Sequence, residues 1–183
     1  MRLCDREEIA QLIEAGELTV DPGNDHEQVT FLDEHRVGLH LDRLFKVAGE
    51  VDLASPQAVE AVAMPIAGSC LQPWELYLGV TREALSLGNR LAASLYTRSR
   101  YARLGLEMLG SSRFVVPGFG SVGAAPLVLE MSVRQVTKGL DPAEVYCFLL
   151  LYHLDRPRRT PNLADYRIRF PLRYGHSGGT LEL

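Results

Sequence analysis

The residues with most chemistry to offer fall in one stretch, TRSRYARLGL at 97–106, followed closely by SSRF and PGFG. Arg98, Arg100 and Arg103, with Arg113 nearby, are fixed cationic forks that bind phosphate oxygens in pairs, and Ser99, Ser111 and Ser112 add hydroxyls. The cluster reads as a phosphate cradle, with a solvated arginine face as its alternative. The second candidate is Glu130. In PLVLEMSV, strand alternation puts Leu127, Leu129, Met131 and Val133 on one face and Val128, Glu130 and Ser132 on the other. A carboxylate in such a strand is expected to be partly shielded from water, which suits a general base; a salt bridge to an arginine is the competing reading.

Other chemistries lack their residues. The zinc deaminase signature needs His-x-Glu with Pro-Cys-x-x-Cys, and neither occurs. His26, His35, His40, His153 and His176 are scattered and do not pair with cysteines at ligand spacing, so no metal site is expected. A P-loop lysine motif and a dinucleotide-binding glycine fingerprint are missing too, since PGFGSVG has no helical pattern after it. Nothing interleaves aromatic and basic residues as a nucleic-acid surface would.

The elements that position these groups read as mostly β. CDREEIAQLIEAGEL carries helix punctuation: Asp5 as N-cap, Glu8 as capping-box partner, Ile9, Leu12 and Ile13 on one face, Gly16 as stop. Strands are expected in VGLHLDRLFKV, LQPWELYLGVT, PLVLEMSV and VYCFLLLYHL, the last as a strand buried on both faces. YARLGLEML, from Tyr101 to Leu109, is expected to form a helical turn or short helix, with Gly105 at a tight approach. Gly and Pro, 16 and 10 residues, fall mostly between the apolar runs, as a turn-rich β-barrel or jelly-roll-like fold requires.

At 183 residues, with 46% hydrophobic and 23% charged residues, the chain is expected to be one domain able to bury a core without staples. A net charge of −4 excludes a general polyanion binder, so any anion must meet a local basic patch. Seventeen of the 19 basic residues are arginine, which a GC-rich coding bias would explain without any role in binding. The charged start MRLCDREEIA and the lack of a long apolar run point to a cytoplasmic protein with no membrane partner. Cys4, Cys70 and Cys147, an odd count among apolar neighbours, are expected to be buried reduced thiols. No repeat and no interdomain linker is visible; residues 1–155 form the domain, and 156–183, rich in Arg, Pro and Gly, form a tail or flap belonging to it.

Taken together, these segments resemble the dCTP deaminases, within the superfamily that includes trimeric dUTPases. MRLCDREEI is similar to the family's start, LQPWELYLGVTREALSL to its L-x-P-G-E-x-x-L-x-x-T-x-E stretch, and TRSRYARLGL to its G-R-S-S-x-x-R-L-G-L motif. VPGFGSVGAAPLVLEMS resembles the D-P-G-[WF]-x-G-x-x-x-L-E segment, and GLDPAEVYCFLLLYHL the strand that follows, all in the same order over residues 1 to 155. The resemblance implies a dUTPase-like distorted β-barrel with a short N-terminal and a short internal helix. It further implies a homotrimer with sites between subunits and metal-independent deamination of a cytosine deoxynucleotide, of the dCTP-to-dUTP type. Glu130 matches the general base; Ser99 and Arg103 match the residues that orient water and pyrimidine; Arg98 matches a phosphate contact. Arg100, Ser112, Arg113, Tyr166 and Arg167 are the further substrate-binding candidates. No cofactor is expected for the chemistry, with Mg²⁺ accompanying only the substrate phosphates.

The chain also departs from the pattern. Arg100 replaces the second serine, Phe114 an arginine, and Val116 the aspartate before Pro-Gly; GSVGAA is longer than usual. In ADYR, Asp165 stands for the family's lysine and the following glutamine is missing, which predicts a phosphate preference weakened or shifted toward fewer phosphates. The alternatives within this reading are a deaminase of a monophosphate or modified cytosine nucleotide, a dUTPase-type hydrolase, and a non-catalytic trimeric nucleotide-binding or regulatory protein.

Overall fold

The capping box forms as its residues dictate: the Asp5 side chain accepts from the Glu8 N–H at 2.9 Å, and the Glu8 carboxylate accepts from the Asp5 N–H at 3.2 Å. It starts α1 (Arg6–Glu14), which follows β1 (Arg2–Leu3) and buries Ile9. The computed structural model describes residues 1–23, 28–48, 60–108, 113–158, 172–174 and 180–181. Beyond α1 the chain runs through β2 (Leu18–Asp21), β3 (Arg36–Ala48), β4 (Glu60–Met64), β5 (Cys70–Leu71), β6 (Tyr77–Leu87) and β7 (Leu91–Thr97). A single helical turn, α2 (Ser99–Ala102), then leads into β8 (Leu106–Met108), β9 (Phe114–Val115), β10 (Ala125–Val133), β11 (Thr137–Lys138) and β12 (Val145–His153). Of the tail, β13 (Leu172–Tyr174) pairs in parallel with β4, and β14 (Thr180–Leu181) pairs with β13.

Among the described residues, twelve strands join into one mainly β curled sheet, with β5 and β11 as a separate pair. Long β3 makes the corner: Arg36–His40 pair with β12, whereas Leu41–Ala48 pair with β6 and β4. The main core packs Ile9 of α1 with residues of the long strands, and in it Ile9, Leu39, Leu41, Leu85, Leu129, Met131 and Leu149 are almost fully buried. Each such side chain contributes about 1.5–3 kcal/mol. Phe45, Ala61, Leu78 and Val80 form a second, smaller cluster, with Val128 packed against it.

Three expectations change. Only Ser99–Ala102 of the Tyr101 region is helical; Leu106–Met108 is a strand, because Gly105 at φ +86 ends the turn and its missing Cβ lets the chain pass Arg134. Trp74 is not in a strand but in the turn before β6, with φ 65, the one positive-φ residue other than glycine among those described. β12 is buried fully on one face only, Phe148, Leu150 and Tyr152 being half-exposed. The cysteines are free, with Cys4 and Cys147 buried and Cys70 partly so; burial pushes the Cys147 thiol well above its usual range.

Candidate active site

Arg98 follows directly on β7, whose last residue Thr97 pairs with Cys147 of β12. Val145 pairs with His40 and Cys147 with Leu39, so Tyr146 is an extra residue relative to β3, and its carbonyl faces the β7 side. The Arg98 N–H donates to that carbonyl at 2.9 Å, and Arg98 Nη1 donates to the Val145 carbonyl at 3.3 Å. Half-buried Arg98 is thereby anchored to β12, at the start of the turn that displays Ser99, Arg100 and Arg103 in solvent. Arg100 lies 5.1 Å over the Tyr101 ring, and its Nη1 is 3.8 Å from Glu144 Oε2. The Tyr101 hydroxyl donates to the same Glu144 oxygen. Burial, then the Glu144 hydrogen bond, pushes the Tyr101 hydroxyl up to about 12.

Glu130 sits half-buried on β10, on the face that carries Val128 and Ser132, while Leu127, Leu129, Met131 and Val133 point into the core, as alternation requires. Its cross-strand partner is Leu78, whose own neighbour on β3 is Phe45. Apolar neighbours therefore border Glu130 on the β6 side. On the β8 side, Ser132 faces Glu107, whose carboxylate is forked by Arg134 at 3.0 and 2.9 Å, and the Arg134 guanidinium lies 4.6 Å over the Trp74 ring.

Between α2 and β8 opens a cleft of about 440 Å³, lined by Tyr96, Thr97, Ala102, Glu107, Met108 and Arg113 among others. Arg113 Nη2 donates to the Met108 carbonyl at 3.4 Å, and the Thr97 hydroxyl accepts from the Met108 N–H at 3.2 Å. The fold thus gathers Arg98, Ser99, Arg100 and Arg103 on one turn, places Arg113 in a cleft beside that turn, and sets Glu130 on the strand next to β8. Ser112, Tyr166 and Arg167 lie outside the described residues. Among the described residues no three His, Cys, Asp or Glu side chains gather to hold a metal ion.

A buried polar group that the sequence reading passed over supports this region. Glu83 is 2% exposed and His40 6%. Glu83 Oε2 accepts from the His40 N–H at 2.8 Å, and Oε1 lies 2.7 Å from His40 Nδ1; Arg82 Nη2 reaches both Nδ1 and Oε1, at 2.8 and 3.3 Å. Next to it the Thr81 hydroxyl donates to the Glu83 carbonyl and accepts from the Leu127 N–H. Three register shifts meet there: Asp42 is extra in β3, Tyr146 is extra in β12, and Thr81–Glu83 oppose Leu127 of β10. The same polar cluster thus borders the bulge at Tyr146, beside Arg98, and the one that precedes Glu130.

A family model described as dCTP deaminase-like matches residues 3–151. The chain is 30% identical over 158 residues to a dCTP deaminase of Alteromonas mediterranea, covering 73% of this chain and 78% of that one. Two proteins named dCTP deaminase, dUMP-forming are also similar. That of Dictyoglomus thermophilum is 30% identical over 171 residues (88% and 84% covered), and that of Mycobacterium tuberculosis 32% over 170 residues (88% and 85%). In structure the chain is similar to the 2′-deoxycytidine 5′-triphosphate deaminase of Agrobacterium tumefaciens, with a TM-score of 0.56 and 17% identity over 82% of this chain; it spans 47% of that protein's length. That likeness concerns the fold.

Proposed function

Because the chain belongs to the dCTP deaminase-like family, we propose that it is a hydrolase that deaminates a cytosine deoxynucleotide. The observation that carries the reading is Glu130, a half-buried carboxylate between an apolar cluster and Ser132, on the strand beside β8. Water attacks C4 of cytosine, and Glu130 takes its proton and passes it to N3. The tetrahedral carbon then expels the amino group, which leaves as ammonia after receiving the second proton, and uracil remains. Water has a pKa of about 15.7, so removing its proton during attack is the demanding step. Ser99 and Arg103 orient water and base, Arg98 takes the nearer phosphate, and Arg100 and Arg113 the outer charge. Any Mg²⁺ would travel with the phosphates.

The site is read as shared in a homotrimer. Support comes from the outer face of β7, β9 and β12, where Tyr96 stacks on Phe148 at 5.7 Å and Phe114 is 52% exposed; an aromatic patch of this kind suits an interface. A second reading concerns the product. Relatives named dUMP-forming favour a further hydrolysis, in which water splits the bond between the first and second phosphates and releases pyrophosphate. Val116, where the family carries aspartate, speaks for deamination alone.

The test is to incubate the purified protein with cytosine, cytidine, dCMP, dCDP and dCTP and to measure ammonia, uracil products and pyrophosphate. Ammonia from a deoxynucleotide supports the reading, and pyrophosphate alongside it supports the second step. Glu130→Gln should cut turnover by about 10²-fold or more with folding intact. Near wild-type turnover in that variant removes Glu130 from its role.

A further inference from the structure

We propose that Glu144 is a selectivity residue of the arginine turn, disfavouring anions in proportion to their charge. The inference rests on the reading of α2 as the phosphate-facing part of the site. Glu144, 39% exposed, sits in the turn before β12 but is held toward α2. Its carboxylate accepts from the Tyr101 hydroxyl, the Tyr101 ring packs on Tyr146 at 4.7 Å, and the Tyr146 hydroxyl accepts from the Asp141 N–H at 2.7 Å. The Glu144 N–H in turn donates to the Asp141 carbonyl at 3.0 Å. These contacts fix a negative charge beside the guanidinium that replaces a neutral serine of the family pattern.

The Arg100–Glu144 separation of 3.8 Å is too long for a hydrogen bond and solvent-exposed, so it adds little to folding. Its consequence falls on a ligand. A phosphate reaching for Arg100 must share that cation with a carboxylate that cannot swing away, and every added phosphate charge meets the same repulsion. Two unit charges about 4 Å apart in a water-like medium interact by ~1 kcal/mol, which corresponds to about fivefold in affinity. Among the described residues Arg98 forms no ion pair, and its guanidinium donates to the Val145 carbonyl. The nearest phosphate is therefore held, while the outer ones are taxed.

The experiment is calorimetric binding of orthophosphate, pyrophosphate and tripolyphosphate to the full chain as wild type, Glu144→Gln and Tyr101→Phe. Glu144→Gln should tighten tripolyphosphate about fivefold and orthophosphate less. Tyr101→Phe, which unpins the carboxylate, should shift binding the same way by a smaller factor, and both gains should shrink with added salt. Unchanged or weaker tripolyphosphate binding in Glu144→Gln overturns the proposal, as does equal tightening of all three anions or no anion binding by any of the proteins. Deamination of dCTP is scored separately. The expected anion series without deamination keeps the role of Glu144 and removes the enzymatic reading; deamination without the anion series does the reverse.

Discussion

Replacing Glu83 with alanine should destabilise the fold by about 4 kcal/mol. Two routes give this figure. Glu83 accepts from the His40 backbone N–H at 2.8 Å and is 2.7 Å from the imidazole Nδ1; hydrogen bonds to a charged acceptor are worth ~1.5–3 kcal/mol each. Glu83 Oε1 also lies 3.3 Å from Arg82 Nη2, and removing one partner of a buried ion pair costs ~3–5 kcal/mol. With a urea slope of about 2 kcal/mol per molar, the midpoint should fall by ~2 M. The assay is far-ultraviolet circular dichroism against urea at one fixed protein concentration. Glu83→Gln keeps an acceptor for the His40 N–H and loses the charge, so it should fall roughly half as far. A shift of less than about 0.5 M for Glu83→Ala at unchanged slope would refute the view that this cluster stabilises the three bulges.

Gly120→Ala should cost ~2–5 kcal/mol in the same assay, because the added Cβ would stand 2.2 Å from the Leu85 carbonyl at φ +68; a neutral result would contradict that geometry. Alkaline difference spectroscopy should find a tyrosine ionising at about 12 that disappears in Tyr101→Phe. Because that folded value lies above the unfolded one of about 10, its stabilising effect is complete below pH ~10 and is lost as pH rises through ~12. Mixing inactive Glu130→Gln with inactive Arg103→Ala chains should restore part of the deaminase activity if the two residues meet across a subunit boundary. Activity from a species that light scattering shows to be a monomer removes the trimer from the reading.

Local rules were readable wherever one neighbour decides the outcome. Asp5 and Glu8 announce a capping box and form one; alternation in PLVLEMSV puts Glu130 on the half-exposed face. The arginine motif was recognisable as a cluster because α2 is a single turn with its contacts close in sequence. Long-range features left no local mark. That Tyr146 is an extra residue emerges only when β12 is laid against β3, and the bonds of Arg98 to the Val145 and Tyr146 carbonyls exist only because β12 lies beside β7, with Val145 47 residues on from Arg98. His40 reads as the polar half of an alternating strand, yet it is buried, because β3 is covered on both faces there and Glu83 lies 43 residues away. Glu144 was hidden for the same reason: its approach to Tyr101 and Arg100 depends on how the turn before β12 packs against α2.

The left-handed turn at Trp74 has an optical consequence. Trp74 is the one tryptophan of the chain, and it is 70% exposed, with a guanidinium over its ring. Its indole already sits largely in water, so its emission in the folded protein will resemble that of a solvated indole, and unfolding will change its colour little. Intrinsic fluorescence is therefore a poor meter of global unfolding here. It is instead a local lamp over the corner where Arg134 grips Glu107 beside the cleft, and will brighten or dim as that grip is altered by whatever enters.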